Sequence, residues 1–377
     1  MLPTIDCVGC GACANACPKS CLNLIADKCG FLHPEIQKVS CTNCGACEKV
    51  CPVINENKKE KTPVQTYAAY SENENVRLSS SSGGLFCTIA KYIIENGGIV
   101  YGAAFDENLY LKHTDIDSVE DLYLLQGSKY IQSDIGLSFK KIKEHLNTNR
   151  LVLFCGTPCQ VEGLLHFLQK PYENLFTIDF ICHGVPSPKA WQEYIKYQEL
   201  VFSAKAHSIY FRDKSTGWLS YSYRIKFLNN CEYLQNNYKD VYSKAFLQNI
   251  SLRKSCYNCK FKTINRNSDV TMGDLWGIQR ILPDLTDNKG VSVAFIQSEK
   301  GKTLLDQVKN NLWLQEISAD TAIESNSAMV KSVYEHNFRD YFFKNLGKQN
   351  FERLVENCLN PSYYIRFKRK LSHMKSK

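Results

Sequence analysis

From Tyr67 onward the chain alternates short apolar runs with stretches in which apolar positions recur every three or four residues. "GIVYGAAF" (98–105), "RLVLFC" (150–155) and "LFTIDFIC" (175–182) are near-continuous apolar runs of strand length, as expected of strands covered on both faces. "GLFCTIAKYIIENG", "GLSFKKIKEHLN" and "PKAWQEYIKYQELV" carry a helical period beside them. This alternation predicts an α/β body with a mixed, largely parallel sheet and flanking helices. A more antiparallel portion is expected around "HSIYFRD" and "YSYRIKFL", and beyond about Thr321 the pattern turns helical and polar. The first 54 residues follow neither pattern, and "NENKKEKTP" reads as a charged linker closed by Pro63. The expected organisation is therefore a small domain over 1–54, a linker over 55–66, the body over 67–320 and a helical extension over 321–377.

Length and composition fit that division. At 377 residues and 44% hydrophobic, the chain can bury a sizeable core beside a smaller domain. No basic start leads into an apolar run, and nowhere do about eighteen apolar residues follow one another, so a soluble cytoplasmic protein is expected. The net charge of +8 suggests nucleic acid until it is located: "SYYIRFKRKLSHMKSK" at the end holds six Lys or Arg and no acid, leaving about +2 elsewhere. A basic tail is read as a solvated terminus or as a peripheral docking site for an acidic partner or membrane surface, not as a nucleic-acid footprint.

Eighteen cysteines change the picture. They fall in C-x-x-C groups, which in a reducing compartment point to metal rather than disulfides. "CVGCGACANACP" at Cys7 to Pro18 returns as "CTNCGACEKVCP" at Cys41 to Pro52. Each repeat has the C-x-x-C-x-x-C-x-x-x-C-P run of bacterial two-cluster ferredoxins, in which three cysteines hold one cluster and the fourth crosses to the other. The small domain is thus expected to be α+β and ferredoxin-like, with two [4Fe-4S] clusters. Cys7, Cys10, Cys13 and Cys51 are assigned to one cluster, and Cys41, Cys44, Cys47 and Cys17 to the other. Zinc is the alternative for C-x-x-C pairs, made improbable by the duplicated four-cysteine run with its proline. Cys21 and Cys29 lie outside the run and read as packed thiols.

The body lacks a G-x-G-x-x-G after a strand, a G-x-x-x-x-G-K-[ST] and a G-x-S-x-G, so the usual dinucleotide fingerprint, P-loop and hydrolase elbow are excluded. It carries instead polar, Gly-rich strings: "RLSSSSGGLF", "QGSKYIQS", "CGTPCQVEGL", "CHGVPSPKAW", "FRDKSTGW" and "SDVTMGDLWGI". "SSSSGG" before an apolar helix would place hydroxyls and amides where a phosphate is favoured, although a capped helix explains it equally. A further C-x-x-C, "SCYNCKFK" (255–262), stands more than two hundred residues after the first two sets.

In that order the strings resemble the family of coenzyme F420 hydrogenase/dehydrogenase beta subunits, which includes bacterial members beside polysaccharide genes and is related to 7-hydroxymethyl chlorophyll a reductase. The resemblance runs from the ferredoxin-like cysteines to about Gly301. It implies an iron-sulfur flavoprotein with FAD in the body and a third [4Fe-4S] cluster held by Cys159, Cys182, Cys256 and Cys259, with Cys155 as a spare. It points to Ser80, Ser81, Ser82, Gly83, Gly84 and Lys129 for the flavin, and places His183, Arg212, Asp213 and Lys214 on a catalytic, substrate-facing side. The bland readings are a strand-end ion pair for Arg212 and Asp213, a hydrogen bond tuning a cluster sulfur for His183, and core packing for Trp218 and Trp276. The implied activity is an oxidoreductase that passes single electrons between clusters and FAD, in either direction, using ferredoxin or another redox partner and a small organic substrate, for which the bacterial members suggest a surface-polysaccharide precursor. The alternative is a non-catalytic electron-transfer subunit of a larger dehydrogenase or hydrogenase, using coenzyme F420 or ferredoxin, with its ferredoxin-like domain detachable on the linker.

Overall fold

The computed structural model describes residues 2–56, 64–285 and 287–362. Most of the expected linker and the basic tail beyond Ser362 lie outside the described residues. Thirteen strands are described: β1 (Leu22–Ala26), β2 (Leu32–Ile36), β3 (Gln65–Ser71), β4 (Ile99–Phe105), β5 (Leu111–Ile116), β6 (Val152–Gly156), β7 (Leu175–Phe180), β8 (Ala206–Asp213), β9 (Ser222–Phe227), β10 (Glu232–Asn236), β11 (Val270–Asp274), β12 (Ser292–Ile296) and β13 (Leu312–Glu316). Eight of them form a mixed sheet in the order β13-β3-β12-β11-β7-β6-β4-β5.

The four central strands, β4, β6, β7 and β11, are parallel to one another, and β5 and β12 flank them antiparallel. Since β3 lies antiparallel to β12, it runs with the central four. The carboxyl ends of five strands, at Ser71, Phe105, Gly156, Phe180 and Asp274, therefore share one edge of the sheet. Apolar side chains alternate between the two faces. Leu153 meets the layer containing the Leu85–Glu95 and Glu299–Val308 helices. Val152 and Phe154 meet the layer containing Ser138–Asn147 and Pro158–Leu168. Burial on both faces is why these strands read as continuous apolar runs.

Between β7 and β11 the chain leaves to build a second, antiparallel sheet, β10-β9-β8, covered by the Pro188–Phe202 and Val241–Leu247 helices. Its core is aromatic, with Trp191, Tyr194, Phe211, Tyr223 and Tyr242 buried. The helices Arg339–Asn345 and Phe351–Leu359 do more than cover the body: they add Phe342, Phe351 and Leu354 to this same core. The Ala319–Ser325 helix crosses the position expected to separate body from extension.

The cysteine-rich region holds the β1-β2 hairpin and two short helices, Ala12–Ala16 and Ala46–Lys49. The repeat is visible in the backbone. Gly9 and Asn43, then Gly11 and Gly45, take left-handed conformations at matching positions, so that each C-x-x-C-G turn curls the chain around its thiols. This region is bonded into the body rather than hung from the linker. Arg253 donates to the carbonyls of Cys7 (2.7 Å) and Leu32 (2.9 Å), Ser255 to that of Cys7 (3.0 Å), and Asn15 to that of Gly136 (2.9 Å). Gly163 on the Pro158–Leu168 helix leaves room for Cys10, whose Sγ would lie 2.9 Å from any β-carbon added there.

Candidate metal centres and cofactor edge

The nearest thiols in space are not always the nearest in sequence. Cys7, Cys10, Cys13 and Cys51 line one hollow, so the fourth cysteine of the second repeat joins the first three of the first. Burial, then the neighbouring Cys7 and Cys51 thiols, push Cys13 up to about 12. Cys17, Cys41 and Cys47 gather on the outer side of the region, and Cys44 is exposed. Cys21, read from sequence as a packed thiol, is buried with its Sγ 3.4 Å from that of Cys17. Cys29 is half-buried, and its carbonyl accepts from the Ser187 hydroxyl.

The body cysteines meet in a second hollow, walled by Cys159, Cys182, Cys256 and Cys259. Cys159 opens the Pro158–Leu168 helix just after β6, fixed by a capping box between Thr157 and Gln160. Cys182 lies two residues beyond β7, and Cys256 lies in a 3₁₀ turn that ends at Cys259. Burial pushes Cys182 to about 11 and Cys256 to about 12, and raises Cys159 well above the ordinary thiol value. Burial thus favours the neutral form of these three thiols, and ligation must displace their protons.

Cations surround this hollow: Arg253, Lys262 and Arg266 all line it. Arg266 is paired with buried Asp179 at 3.1 Å. Lys262 donates to the carbonyls of Cys182 (2.6 Å) and Ala328 (2.8 Å), and Arg253 to carbonyl oxygens and to Gln132 Oε1 (2.9 Å). One buried positive charge, Arg253, and one half-buried, Lys262, among neutral partners beside four thiols fit an anionic occupant such as a thiolate-ligated cluster. Among the described residues, no group of three or more His, Cys, Asp or Glu could hold a metal ion directly. Cys155 stands apart from the hollow, its carbonyl hydrogen-bonded to His113 Nε2 at 3.1 Å.

The other strings meet at the carboxyl edge of the sheet, and here the polar groups are turned inward. Ser80 Oγ donates to the Cys87 sulfur and accepts from Gln126, Ser81 Oγ accepts from the Ser128 amide at 2.6 Å, and Ser82 Oγ donates to the Val291 carbonyl. The Gly83 amide donates to Ser292 Oγ at 3.0 Å, and a β-carbon at this glycine would lie 2.3 Å from the Ala69 carbonyl. Lys129 Nζ donates to the carbonyls of Leu125, Gln126 and Gly127, and burial lowers it to about 8. Lys214 Nζ donates to the carbonyls of Arg77, Ser82 and Lys289, and burial, then the Arg212 charge, lower it to about 7. These residues build the loop around Gly84. That glycine opens the Leu85–Glu95 helix in a left-handed conformation, with no side chain capping the first turn.

The four substrate-side residues separate. His183 belongs to the four-cysteine hollow, its Nε2 2.7 Å from Asn249 Oδ1 and its ring edge-on to Phe246. Arg212 and Asp213, adjacent on β8, do not pair with each other. Arg212 forks onto Asp274 (2.9 and 3.1 Å) and lies over the Tyr221 ring, while Asp213 takes Arg224 at 2.7 Å. β8 is irregular between Tyr210 and Asp213, and the two side chains take separate partners there, which rules out the strand-end pair read from sequence. Trp218 is buried, stacks on Trp276 (5.0 Å between centroids) and donates to Asp274 at 2.9 Å. Asp274, Arg253 and Lys262 were not singled out by sequence reading, although Lys262 lies inside "CYNCKFK" itself.

Fold and thiols together define an iron-sulfur electron-transfer protein. Residues 149–321 match the family of the carboxyl-terminal part of the coenzyme F420 hydrogenase/dehydrogenase beta subunit, and residues 6–55 match the 4Fe-4S dicluster domain. The likeness to that beta-subunit family thus spans residues 149–321, with a dicluster domain in front. No curated protein matches the chain. Among solved structures it is similar to a chain of the F420-reducing [NiFe] hydrogenase complex from Methanosarcina barkeri, in a xenon-derivatization study. That likeness has 15% identity and a TM-score of 0.47 over 73% of this chain and 92% of that one. Among the described residues, no helix is long and apolar enough to cross a membrane.

Proposed function

We propose that this chain is an iron-sulfur flavoprotein oxidoreductase in which three cysteine nests lead from the outer face of the N-terminal region to the carboxyl edge of the main sheet. The observation that carries this reading is Val8, which lines both the Cys7–Cys51 hollow and the four-cysteine hollow of the body, so that the two share a wall. The ligand sets are Cys41, Cys44, Cys47 and Cys17 outside, Cys7, Cys10, Cys13 and Cys51 in the middle, and Cys159, Cys182, Cys256 and Cys259 in the body. When bound, the clusters would supply one-electron transfer and FAD the conversion to two-electron chemistry on a small organic substrate. Exposed Cys44 marks the side where ferredoxin or another redox partner would approach.

For FAD the supporting feature is the uncapped first turn of the Leu85–Glu95 helix, whose amides can receive a phosphate. Ser80, Ser81, Ser82 and Lys129 act as its scaffold, because their polar atoms hold the loop's own groups. Arg212, kept in place by Asp274, is the cation nearest in role to an anion clamp. Iron, sulfide and extracted flavin per chain, measured on protein purified without oxygen, test this directly. About twelve iron with one FAD supports it, and about eight iron without flavin removes it. Cys259→Ala should remove about a third of the iron.

A second reading, a non-catalytic electron-transfer subunit of a larger enzyme, is favoured by the same inward turn of Lys129, Lys214 and the serines, which leaves few groups for a substrate. Turnover without partner proteins separates the two. A surface-sugar precursor as substrate, suggested by the family's polysaccharide-associated members, falls if an active preparation reduces no nucleotide sugar.

A further inference from the structure

The two inner hollows differ in the charge of their walls. The hollow of Cys7, Cys10, Cys13 and Cys51 is lined, apart from its thiols, by apolar residues and glycines such as Leu2, Pro3, Val8, Gly9, Leu24 and Val53. Lys260, whose charge acts on Cys51, is paired with Glu56, and Asp6 acts on the same lysine. The body hollow is different in kind. Arg266 is neutralised by Asp179, but Lys262 and Arg253 donate only to neutral groups, and no ion pair with a carboxylate is formed by either among the described residues. Arg253 also grips the Cys7 carbonyl, so its charge acts on both hollows. Lys262, bonded to the Cys182 carbonyl, belongs to the body hollow alone.

Reducing a four-thiolate [4Fe-4S] centre adds one negative charge to a site that already carries net negative charge. In a poorly polarisable interior, a fixed cation at the wall favours that added charge strongly. We propose that Lys262 makes the body cluster the most easily reduced of the three, so that an electron entering at the N-terminal region comes to rest at Cys159, Cys182, Cys256 and Cys259. The exchange balances by itself: the Cys7–Cys51 cluster loses one electron, the body cluster gains it, and no proton or other reactant takes part. This gives the relay a direction toward the sheet edge, and it rests on the three-cluster reading above.

The test is a potentiometric titration of the full chain, prepared without oxygen and followed by electron paramagnetic resonance. The body signal is identified as the one absent from Cys259→Ala. In the wild type it should reduce before the other two. Lys262→Met should disfavour its reduction at least tenfold, 59 mV for a one-electron couple. Lys262→Arg should remain near the wild type, and the other two midpoints should stay unchanged in both variants. A body signal that reduces last in the wild type overturns the proposal, as does an unmoved midpoint in Lys262→Met with full iron. If Lys262→Met fails to retain iron, the wild-type order alone decides. A wild type with about eight iron and no signal sensitive to Cys259→Ala would instead remove the three-cluster reading itself.

Discussion

The N-terminal region and the body both gather cysteines around a hollow, and they do so by opposite means. In the N-terminal region the thiols lie within a few residues of one another, and left-handed glycines curl the chain around them. In the proposed ligand sets Cys17 and Cys51 are the two that cross between repeats. In the body, Cys159, Cys182 and the 256–259 pair come from three separate segments, the first two brought together because β6 and β7 are adjacent and parallel. A local nest needs little from the rest of the protein. An assembled one depends on the sheet, on a buried polar framework and on buried cations, and should fail differently when disturbed.

Iron content and stability together give the sharpest break. Cys44→Ala and Cys182→Ala should each lose about four of about twelve iron. Cys182→Ala should also lower anaerobic denaturation stability by about 3 kcal/mol, because Lys262 and Arg253 then face no anionic group, whereas exposed Cys44→Ala should stay within about 1 kcal/mol. Equal losses would mean that the body hollow is no more dependent on its charge balance than the outer one.

Arg253 tests the joint between the two regions. Its guanidinium holds Cys7, Leu32 and Gln132, and Arg253→Met would strand those buried acceptors at a cost of about 3 kcal/mol. The chemical denaturation midpoint should fall accordingly. An unchanged midpoint would mean that the N-terminal region is held by its apolar contacts alone.

A comparable effect, confined to acid, is expected at His113. This ring bonds the Cys155 carbonyl and Ser133 Oγ, which in turn meets Gln160 in the capping box that orients Cys159. Burial lowers its pKa from 6.5 to about 4. The unfolded chain therefore takes up the proton first, so the histidine's contribution is intact above pH 6.5 and is lost as pH falls toward 4, by about 3 kcal/mol. His113→Gln should flatten that part of the stability curve, and an unaltered slope would remove His113 from the framework. The smallest effect is expected at Cys21→Ala: iron should be retained in full, with about 1 kcal/mol lost from the contact with Cys17. Loss of four iron there would make Cys21 a ligand.

Much of this was legible before the fold. β4, β6 and β7 announced themselves as apolar runs because both of their faces are covered, and β8 and β9 lie in the portion expected to be antiparallel. β3 and β12 did not stand out: each is a short segment whose burial comes from neighbours far along the chain. Arg212 and Asp213 are expected on the substrate-facing side, with an ion pair between them as the alternative, yet the irregular end of β8 gives each a different partner. Ser80, Ser81 and Ser82 looked like ligand-binding hydroxyls, but whether a hydroxyl faces a ligand or its own loop depends on the neighbouring loop, here Gln126–Ser128.

The sequence by itself determined what is encoded within a few residues: the duplicated cysteine run, the glycine turns that curl it and the apolar runs of the central strands. The four thiols of the body hollow are those that the family resemblance implies, but tertiary structure alone decided which cations stand beside them without a carboxylate partner and how the N-terminal region is fastened there. The physical reason is range. Turn geometry and strand burial are written in the local chain, whereas the charge around a buried site is the sum of side chains that only folding brings together.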